Sequence, residues 1–300
     1  MNKSKTSTGY KIFNIFNILL MIFLCAIMIY PYLNQIAISF NEGVDTARGG
    51  MGIFPRRFTL ENYATILKDS GISTSALVSV SRTILNLVFS LIATFSAAFA
   101  LTRQDLKGKK GITLYFVVTM YISAGTIPLY ILYRYLGLIN NFWVYVAPYL
   151  FSVYNMLIFR SFISGLPKSL EESALLDGAN EIYIMFKIIM PLSKPVLATV
   201  ALWVAVAQWN DYMTTLYYIT DKNLFTLQYQ MIRIIKQGET IRQQALEMAM
   251  NGGEDAIQSK VTSEAVKSAM LIITTIPIIC LYPFLQKYFV KGVTLGAVKG

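Results

Sequence analysis

The sequence predicts an all-α, polytopic membrane protein with six transmembrane helices. Three observations carry this. Of 300 residues, 55% are hydrophobic and only 14% are charged, against about 25% charged in an ordinary soluble domain. Mean hydropathy is +0.52. The apolar residues are gathered into runs between charges, each near the roughly 20 residues that a helix needs to cross the hydrocarbon core. A soluble fold of this composition would lack the polar side chains to cover itself.

The runs come in order. The first lies between Lys11 and Glu42, from Ile12 to Asn41, and is expected to end between Pro31 and Phe40. It exceeds the roughly 7–15 apolar residues of a cleaved signal peptide, so it reads as an anchoring helix. The second runs from Ser75 to Leu101 and is interrupted only by Arg82. The third lies between Lys110 and Arg134, and the fourth between Tyr135 and Arg160, with a short turn at Leu136–Asn141 joining them. The fifth runs from Pro195 to Tyr217 with Asp211 inside it. The sixth lies between Lys267 and Lys287. Residues 1–11 form a short terminus, and 12–300 form one transmembrane domain.

Charge sets the orientation, because cytoplasmic loops are enriched in Lys and Arg. With the N-terminus inside, the inner segments hold Lys3, Lys5, Lys11, Arg103, Lys107, Lys109, Lys110, Lys287, Lys291 and Lys299. The loops at about 41–74 and 217–266 then lie outside, with near-balanced charge. Both termini are expected in the cytoplasm. The formal net charge of +10 is thus spread along cytoplasmic edges, without an RNP-type or zinc-finger motif, so nucleic acid is not expected as a partner.

Whole classes of chemistry are excluded. The chain has no histidine, which removes Ser-His-Asp triads, Cys-His dyads and His-bearing metal sites. Its two cysteines, Cys25 and Cys280, lie far apart in apolar runs and read as small buried hydrophobes. No catalytic and no metal site is expected. Gly108-Lys109-Lys110 lacks the rest of a G-x-x-x-x-G-K-[ST] loop, so the chain has no phosphate-binding loop of its own.

The segments between spans carry the function. In the long 217–266 loop, Met231, Ile234, Ile235, Ala245, Met248 and Ala249 fit a helix stopped by Asn251-Gly252-Gly253. In the inner segment, about 164–194, Ser169-Leu170-Glu171-Glu172 fits a capping box, the Ser169 oxygen accepting from the Glu172 amide. Leu170, Ala174, Leu175 and Ala179 follow at helical spacing. Gly178 permits a positive φ and a kink. Ile182, Tyr183, Phe186 and Ile189 then resume the helical period until Pro191 and Pro195 lead into the fifth span. Such an amphipathic, kinked pair of helices either lies on the lipid surface or docks into a groove on another protein.

Glu172-Ser173-Ala174-Leu175-Leu176-Asp177-Gly178-Ala179, followed by Phe186-Lys187-Ile188-Ile189-Met190-Pro191, resembles the EAA loop of ABC-importer permeases. The family pattern is Glu-Ala-Ala, two residues, Asp-Gly-Ala, then Ile-x-Leu-Pro. Ser173 and Met190 are the two departures, both small or apolar. The ending from Tyr282-Pro283-Phe284 to Gly296-Ala297-Val298-Lys299-Gly300, and Trp209-Asn210-Asp211-Tyr212, are similar to the carbohydrate branch, the maltose-transporter G type and LplC-like permeases. The resemblance spans about residues 10–300 and implies the type I ABC importer permease fold.

It also implies roles. The permease would import an oligosaccharide or a polysaccharide fragment, with a second permease subunit, two cytoplasmic ATP-binding subunits and an extracytoplasmic sugar-binding protein as partners. ATP and Mg would be used by the partners, and this chain would bind no cofactor. Glu172, Ala174, Asp177, Gly178, Ala179 and Pro191 would couple to the ATPases. Asp177 would either cap the second helix or pair with a basic residue there. Val298, Lys299 and Gly300 would reach the ATPases, or simply fray. Trp209, Asn210, Asp211 and Tyr212 would line the substrate pathway, or pack structurally. The 217–266 loop would enter the binding protein's cleft. Asp211 and Arg82 are charges at membrane depth, where an ionisable side chain costs about 2.5–3.5 kcal/mol at the centre. Arg82 is expected near an interface, snorkelling. Two alternatives stay open: a permease of the same fold for a non-sugar solute, and a sensor or scaffold that transports nothing.

Overall fold

The computed structural model describes residues 8–250 and 263–297. Within these the chain is helical, and its one β-bridge, Asn41 with Phe58, is isolated. The packing divides it into two units, Met1–Asp69 with Arg233–Thr275 and Ser70–Ile232 with Ile276–Gly300. Three helices among the described residues are long and apolar enough to cross a membrane, and three bent pairs bring the total to as many as six spans.

In the first unit, α1 (Thr8–Ser39) leaves its apolar side chains exposed along most of its length, as a lipid-facing helix must. The connector after it is ordered by buried polar groups. Asn41, fully buried, donates to Asp45 Oδ2 and Thr46 Oγ1 at 3.0 Å and accepts from the Arg57 amide at 2.8 Å. Asn62, on α3 (Glu61–Lys68), donates to the carbonyls of Ser39 and Asn41. Arg56 pairs with Asp45 at 2.8 Å. Phe40 stacks on Phe58 and tilts against Tyr63. The short α2 (Gly43–Ala47) sits inside this network. The start of α14 (Ser263–Ala297) is tied to α1 by Ser268, whose hydroxyl donates to Gln35.

In the second unit, α4 (Ser70–Thr102) is the central rod, and α7 (Val153–Ser164) and α11 (Lys194–Asn210) pack along it. Phe95, Ala98, Phe99, Met156, Phe159, Ile163, Val196 and Val200 form the core between them. A second cluster gathers Val78, Val144, Tyr145, Tyr218 and Phe225.

Several expected spans are broken, each for a local reason. The third is not one helix. It is α5 (Lys109–Tyr121) and α6 (Thr126–Tyr135), bent by 114°. Gly125 takes φ +79°, and Pro128 has no N–H to carry an α-helical ladder back through the break. The fourth is helical only over α7. Before it lie 3₁₀ turns at Phe142–Tyr145 and Ala147–Tyr149, the latter holding Pro148, and the pair bends by 44°. The fifth stops at Asn210, with Asp211 extended, and resumes as α12 (Met213–Tyr218).

The turn between the third and fourth spans is as short as expected. It uses positive φ at Gly137 and Asn140, and Asn140 Oδ1 accepts from the amides of Thr220 and Asp221. α13 (Leu227–Met250) contains the helix expected at 231–250 and starts earlier. Its proposed stop, Asn251-Gly252-Gly253, lies outside the described residues, as do Lys3, Lys5, Val298, Lys299 and Gly300.

The 41–69 connector gives a first test. The Asn41 amide and the Arg56 guanidinium hold the Asp45 carboxyl below its ordinary range. A depressed carboxylate adds stability above its unfolded pKa and loses it as pH falls through the folded value. Limited proteolysis of this connector should therefore show protection near neutral pH that fails only under acid. Asn41→Ala, which leaves buried donors and acceptors unmet at a cost of about 1–3 kcal/mol, should expose it to cleavage at neutral pH.

Candidate functional site

The segment 164–194 is built from two helices around one tight turn. α8 (Ser169–Leu176) is capped by backbone, not by Ser169. The amides of Glu171 and Glu172 both donate to the Lys168 carbonyl at 3.0 Å, and that of Leu170 donates to Pro167. The expected capping box does not form. The chain enters the helix one residue earlier, at Lys168, so the Glu172 amide is already taken.

α8 ends in a Schellman motif. Ala179 N–H donates to the Ala174 carbonyl and Gly178 N–H to that of Leu175, both at 3.0 Å, with Gly178 at φ +79°. No atom lies within 4 Å of where a Gly178 Cβ would sit, so the demand for glycine is one of backbone conformation, not space. Asn180 Oδ1 then accepts from the Tyr183 amide at 2.8 Å. The cap of the second helix is therefore Asn180, and Asp177 does not serve there. Asp177 is exposed at the end of α8.

The second helix runs Glu181–Leu192, as α9 (Glu181–Tyr183), a π-turn at Ile184–Ile189 and α10 (Met190–Leu192). Pro191 cannot donate to the Lys187 carbonyl and crowds it; a widened π-turn directly before it relieves that conflict. Pro191 thus lies inside the rod and does not end it. The break comes at Ser193, fully buried, after which α11 departs at 84°.

Two features fix this segment to the rods. Ala174 is buried with Phe95, Phe99, Ile184 and Ile189 in the main core, and Ala179 packs against the same cluster. Arg103, just past the end of α4, pairs with Glu171 of α8 and with Glu181 of α9. One guanidinium therefore spans the Gly178 turn and ties both helices to α4. Sequence reasoning counted Arg103 only as loop charge. A basic residue at the end of an apolar run, with acids flanking a kinked helix pair, was the available signal.

The expected apolar face divides. Ala174 turns inward, while Leu170, Leu175, Leu176, Ile182 and Tyr183 stay exposed, Leu176 at 89%. Glu172 is exposed, and its carboxylate has no hydrogen bond or ion pair among the described residues.

Farther along α4 the membrane-depth charges meet. Arg82 does not snorkel. It is 1% exposed and donates to Asp211 Oδ2 at 2.6 Å, the Asp211 carbonyl at 3.0 Å and Gln208 Oε1 at 2.8 Å. Its guanidinium also lies 4.5 Å from the Tyr145 ring centroid. A buried guanidinium needs an anion more than it needs an interface. Asp211 Oδ1 accepts from the Thr214 amide, which starts α12. Asn210 accepts from Gln228, and Trp209 is buried against an apolar pocket with Val80, Ile84 and Pro277. These contacts give Trp209, Asn210 and Asp211 structural partners; Tyr212 is half-buried beside them. Among the described residues no group of Cys, Asp and Glu could hold a metal ion.

Residues 70–295 match the family described as binding-protein-dependent transport system inner membrane component. Protein LplC of Bacillus subtilis (strain 168) is 37% identical, over 97% of this chain and 96% of its own length. The polygalacturonan/rhamnogalacturonan transport system permease protein YtcP of the same organism is 34% identical over 95% and 97%. Among solved structures, a chain of a bacterial ABC transporter involved in the import of the acidic polysaccharide alginate superposes with a TM-score of 0.84 at 27% identity, covering 96% of this chain and 100% of that one.

Two substitutions test the two charge locks. Arg103→Ala should loosen α8 and α9 together, raising amide hydrogen exchange over 169–183 about fivefold, consistent with the roughly 1 kcal/mol of partly exposed pairs. Glu172→Ala should leave that exchange unchanged. Asp211→Asn strands a buried guanidinium, a loss of about 3–5 kcal/mol, and should sharply lower the yield of folded protein in detergent. Arg82→Met with Asp211→Leu together should recover much of it.

Proposed function

The chain belongs to the family of binding-protein-dependent transport system inner membrane components, and from that premise we propose that it is the permease subunit through which an ATP-driven importer moves an oligosaccharide or a polysaccharide fragment across the cell membrane. It is a multi-pass membrane protein of the type I ABC importer fold. It has no ATPase site of its own; hydrolysis belongs to partner subunits. A carbohydrate is the solute named for YtcP and for the structural neighbour.

One observation carries the coupling role. The 164–194 segment is held rigidly at its back, by Ala174 in the core and by Arg103, and shows apolar side chains at its front. A helix pair kept for folding alone would turn Leu175, Leu176 and Ile182 inward. Exposed leucines on a braced helix are what a partner groove grips.

The mechanism follows. Two cytoplasmic ATP-binding subunits, using ATP and Mg, seat α8, and their ATP-driven closure moves it. Glu172, unpaired among the described residues, faces the ATPase together with Asp177. Gly178 and Ala179 keep the two helices at a fixed angle, and the Pro191 π-turn carries the displacement to Ser193 and α11. Arg103 passes the same displacement to α4. Because α4 and α11 converge on the Arg82–Asp211 pair, the rods move together, and the pathway between this chain and a second permease switches sides. An extracytoplasmic sugar-binding protein delivers the solute, with the 217–266 loop reaching it. Both termini lie in the cytoplasm, and Val298, Lys299 and Gly300 extend toward the ATPases. Trp209, Asn210, Asp211 and Tyr212 act in the pathway chiefly by holding its shape.

Affinity purification of the tagged chain in mild detergent should recover a second permease, an ATPase and a sugar-binding protein. Recovery of the chain alone, even after crosslinking, would sink the importer reading. Within the recovered complex, Gly178→Val forces a β-branched residue to positive φ, a strain of about 1–2 kcal/mol or more, and should cut sugar uptake more than tenfold. Gly178→Asn, which tolerates that conformation, should keep most of it. Glu172→Ala should lose sugar-dependent ATP hydrolysis while this chain and the second permease still co-purify.

A further inference from the structure

A cavity of about 530 Å³ opens beside α4, α7 and α11, inside the range of small-ligand sites, about 300–1,000 Å³. Its wall is mostly apolar, with Pro148, Phe151, Trp203, Val204 and Ala207, but it carries a set of amide and hydroxyl side chains among membrane-spanning helices. Asn86, Ser90, Asn155 and Gln208 line it, each buried, at 1%, 2%, 9% and 6% exposure. The side chains of Ser90 and Asn155 make no hydrogen bond among the described residues. Asn86 donates to the Val146 carbonyl at 3.4 Å and leaves its own side-chain oxygen unused. Gln208 turns its oxygen to Arg82, as it must toward a group that only donates, so its NH₂ is left for the cavity.

Lipid cannot meet these groups, and each unmet one costs free energy in hydrocarbon. Polar side chains kept at membrane depth mark a solute path. At the cavity's edge Trp203 and Tyr154 form an exposed aromatic pair, ring centroids 6.2 Å apart and tilted by 36°. Such a surface offers a flat apolar face beside hydrogen-bonding groups of both signs. A pyranose or furanose ring has the matching chemistry: hydroxyls that donate and accept at its rim, and an apolar C–H face.

No residue lining the cavity is charged. The charge of the neighbouring Arg82 is already paired with Asp211, and its terminal nitrogens are taken by Asp211 and Gln208. A uronate carboxylate placed here would be desolvated without a counter-charge. We infer that this cavity is a saccharide-binding site on this subunit, with Trp203 and Tyr154 stacking an uncharged glycosyl unit and Asn86, Ser90, Asn155 and Gln208 bonding its hydroxyls. The inference rests on the carbohydrate reading above and adds which residues of this chain touch the sugar and which class of sugar unit fits.

The test uses the complete importer, purified through this chain and reconstituted with its binding protein in ATP-loaded proteoliposomes. The probes are radiolabelled neutral malto-, galacto- and arabino-oligosaccharides, and oligogalacturonides. The expected result is uptake of a neutral probe, with KM raised about tenfold by Trp203→Ala and by Asn155→Leu, and with Trp203→Tyr restoring most of the loss. Co-purification of partners at normal yield checks folding, and Ser90→Ala, which removes only the hydroxyl, tests the polar part of the wall if a larger change impairs assembly. An unchanged KM in these variants, with a wild type that takes up a neutral probe, overturns the site while leaving the carbohydrate reading intact. Uptake confined to oligogalacturonides overturns the uncharged class. No uptake of any saccharide by the wild type overturns the carbohydrate reading and the site with it.

Discussion

A charged side chain buried at membrane depth has to find its counter-charge inside the protein, and the Arg82–Asp211 pair is where this fold meets that demand. Arg82 is 1% exposed. Water cannot reach it, and the surrounding rods are apolar. Asp211 must therefore come to it, and its arrival sets much else. α11 stops at Asn210, the chain is extended at Asp211, and α12 begins with Thr214 bonded to the same carboxylate. Gln208, one helical turn back, is drawn onto the guanidinium and so takes its place in the wall of the adjacent cavity. Loss of either ion would cost more than the pair contributes, because the survivor would be left buried and unpaired.

The second lock lies at the other end of the same rod. Arg103 follows Arg82 by about 30 Å along α4, at the usual rise of a helix. It holds Glu171 and Glu181, on opposite sides of the Gly178 turn. The two locks differ in kind. In the deep one the guanidinium is 1% exposed, against 16% for Arg103. The terminal one is partly exposed, contributes little on its own, and acts mainly by fixing geometry together with the Ala174 contact. A helix that carries force from one end to the other needs both: a contact at the driven end that moves with the partner, and one in the interior that cannot slip.

Much of this was legible in the sequence, and the limits have physical causes. Apolar runs located the helices because burial in lipid demands a full turn-by-turn apolar surface. Gly178 was legible because a positive φ next to a helix end has few other solutions. The capping box was not, since whether Ser169 or Lys168 enters the helix depends on which carbonyl reaches the Glu172 amide first, and the pattern is the same either way. The breaks at Gly125, Pro148 and Asp211 were hidden for a related reason. Apolar composition shows that a stretch can lie in a membrane, not that it crosses straight. The three ion pairs of the two locks were out of reach because their partners are far apart in the chain, 129 residues for Arg82 and Asp211. Composition lists charges; only the fold pairs them.

The same pairing bears on the Trp209–Tyr212 stretch, which the sequence leaves open between a substrate pathway and structural packing. Aromatic and amide side chains beside a carboxylate look like a sugar site, yet here Asp211 is bound to Arg82, Asn210 to Gln228, and Trp209 is packed away. Asp211 and Trp209, so held, have little to offer a solute, while Asn210 keeps only its NH₂. Capacity is left over in the adjacent cavity, on Ser90, Asn155 and the outward side of Gln208, which find no partner for it among the described residues. In a membrane, where unmet polar groups are costly, such a surplus is retained only if something arrives to use it. The locked residues and the unlocked ones thus divide a single region into a part that holds shape and a part that meets the solute.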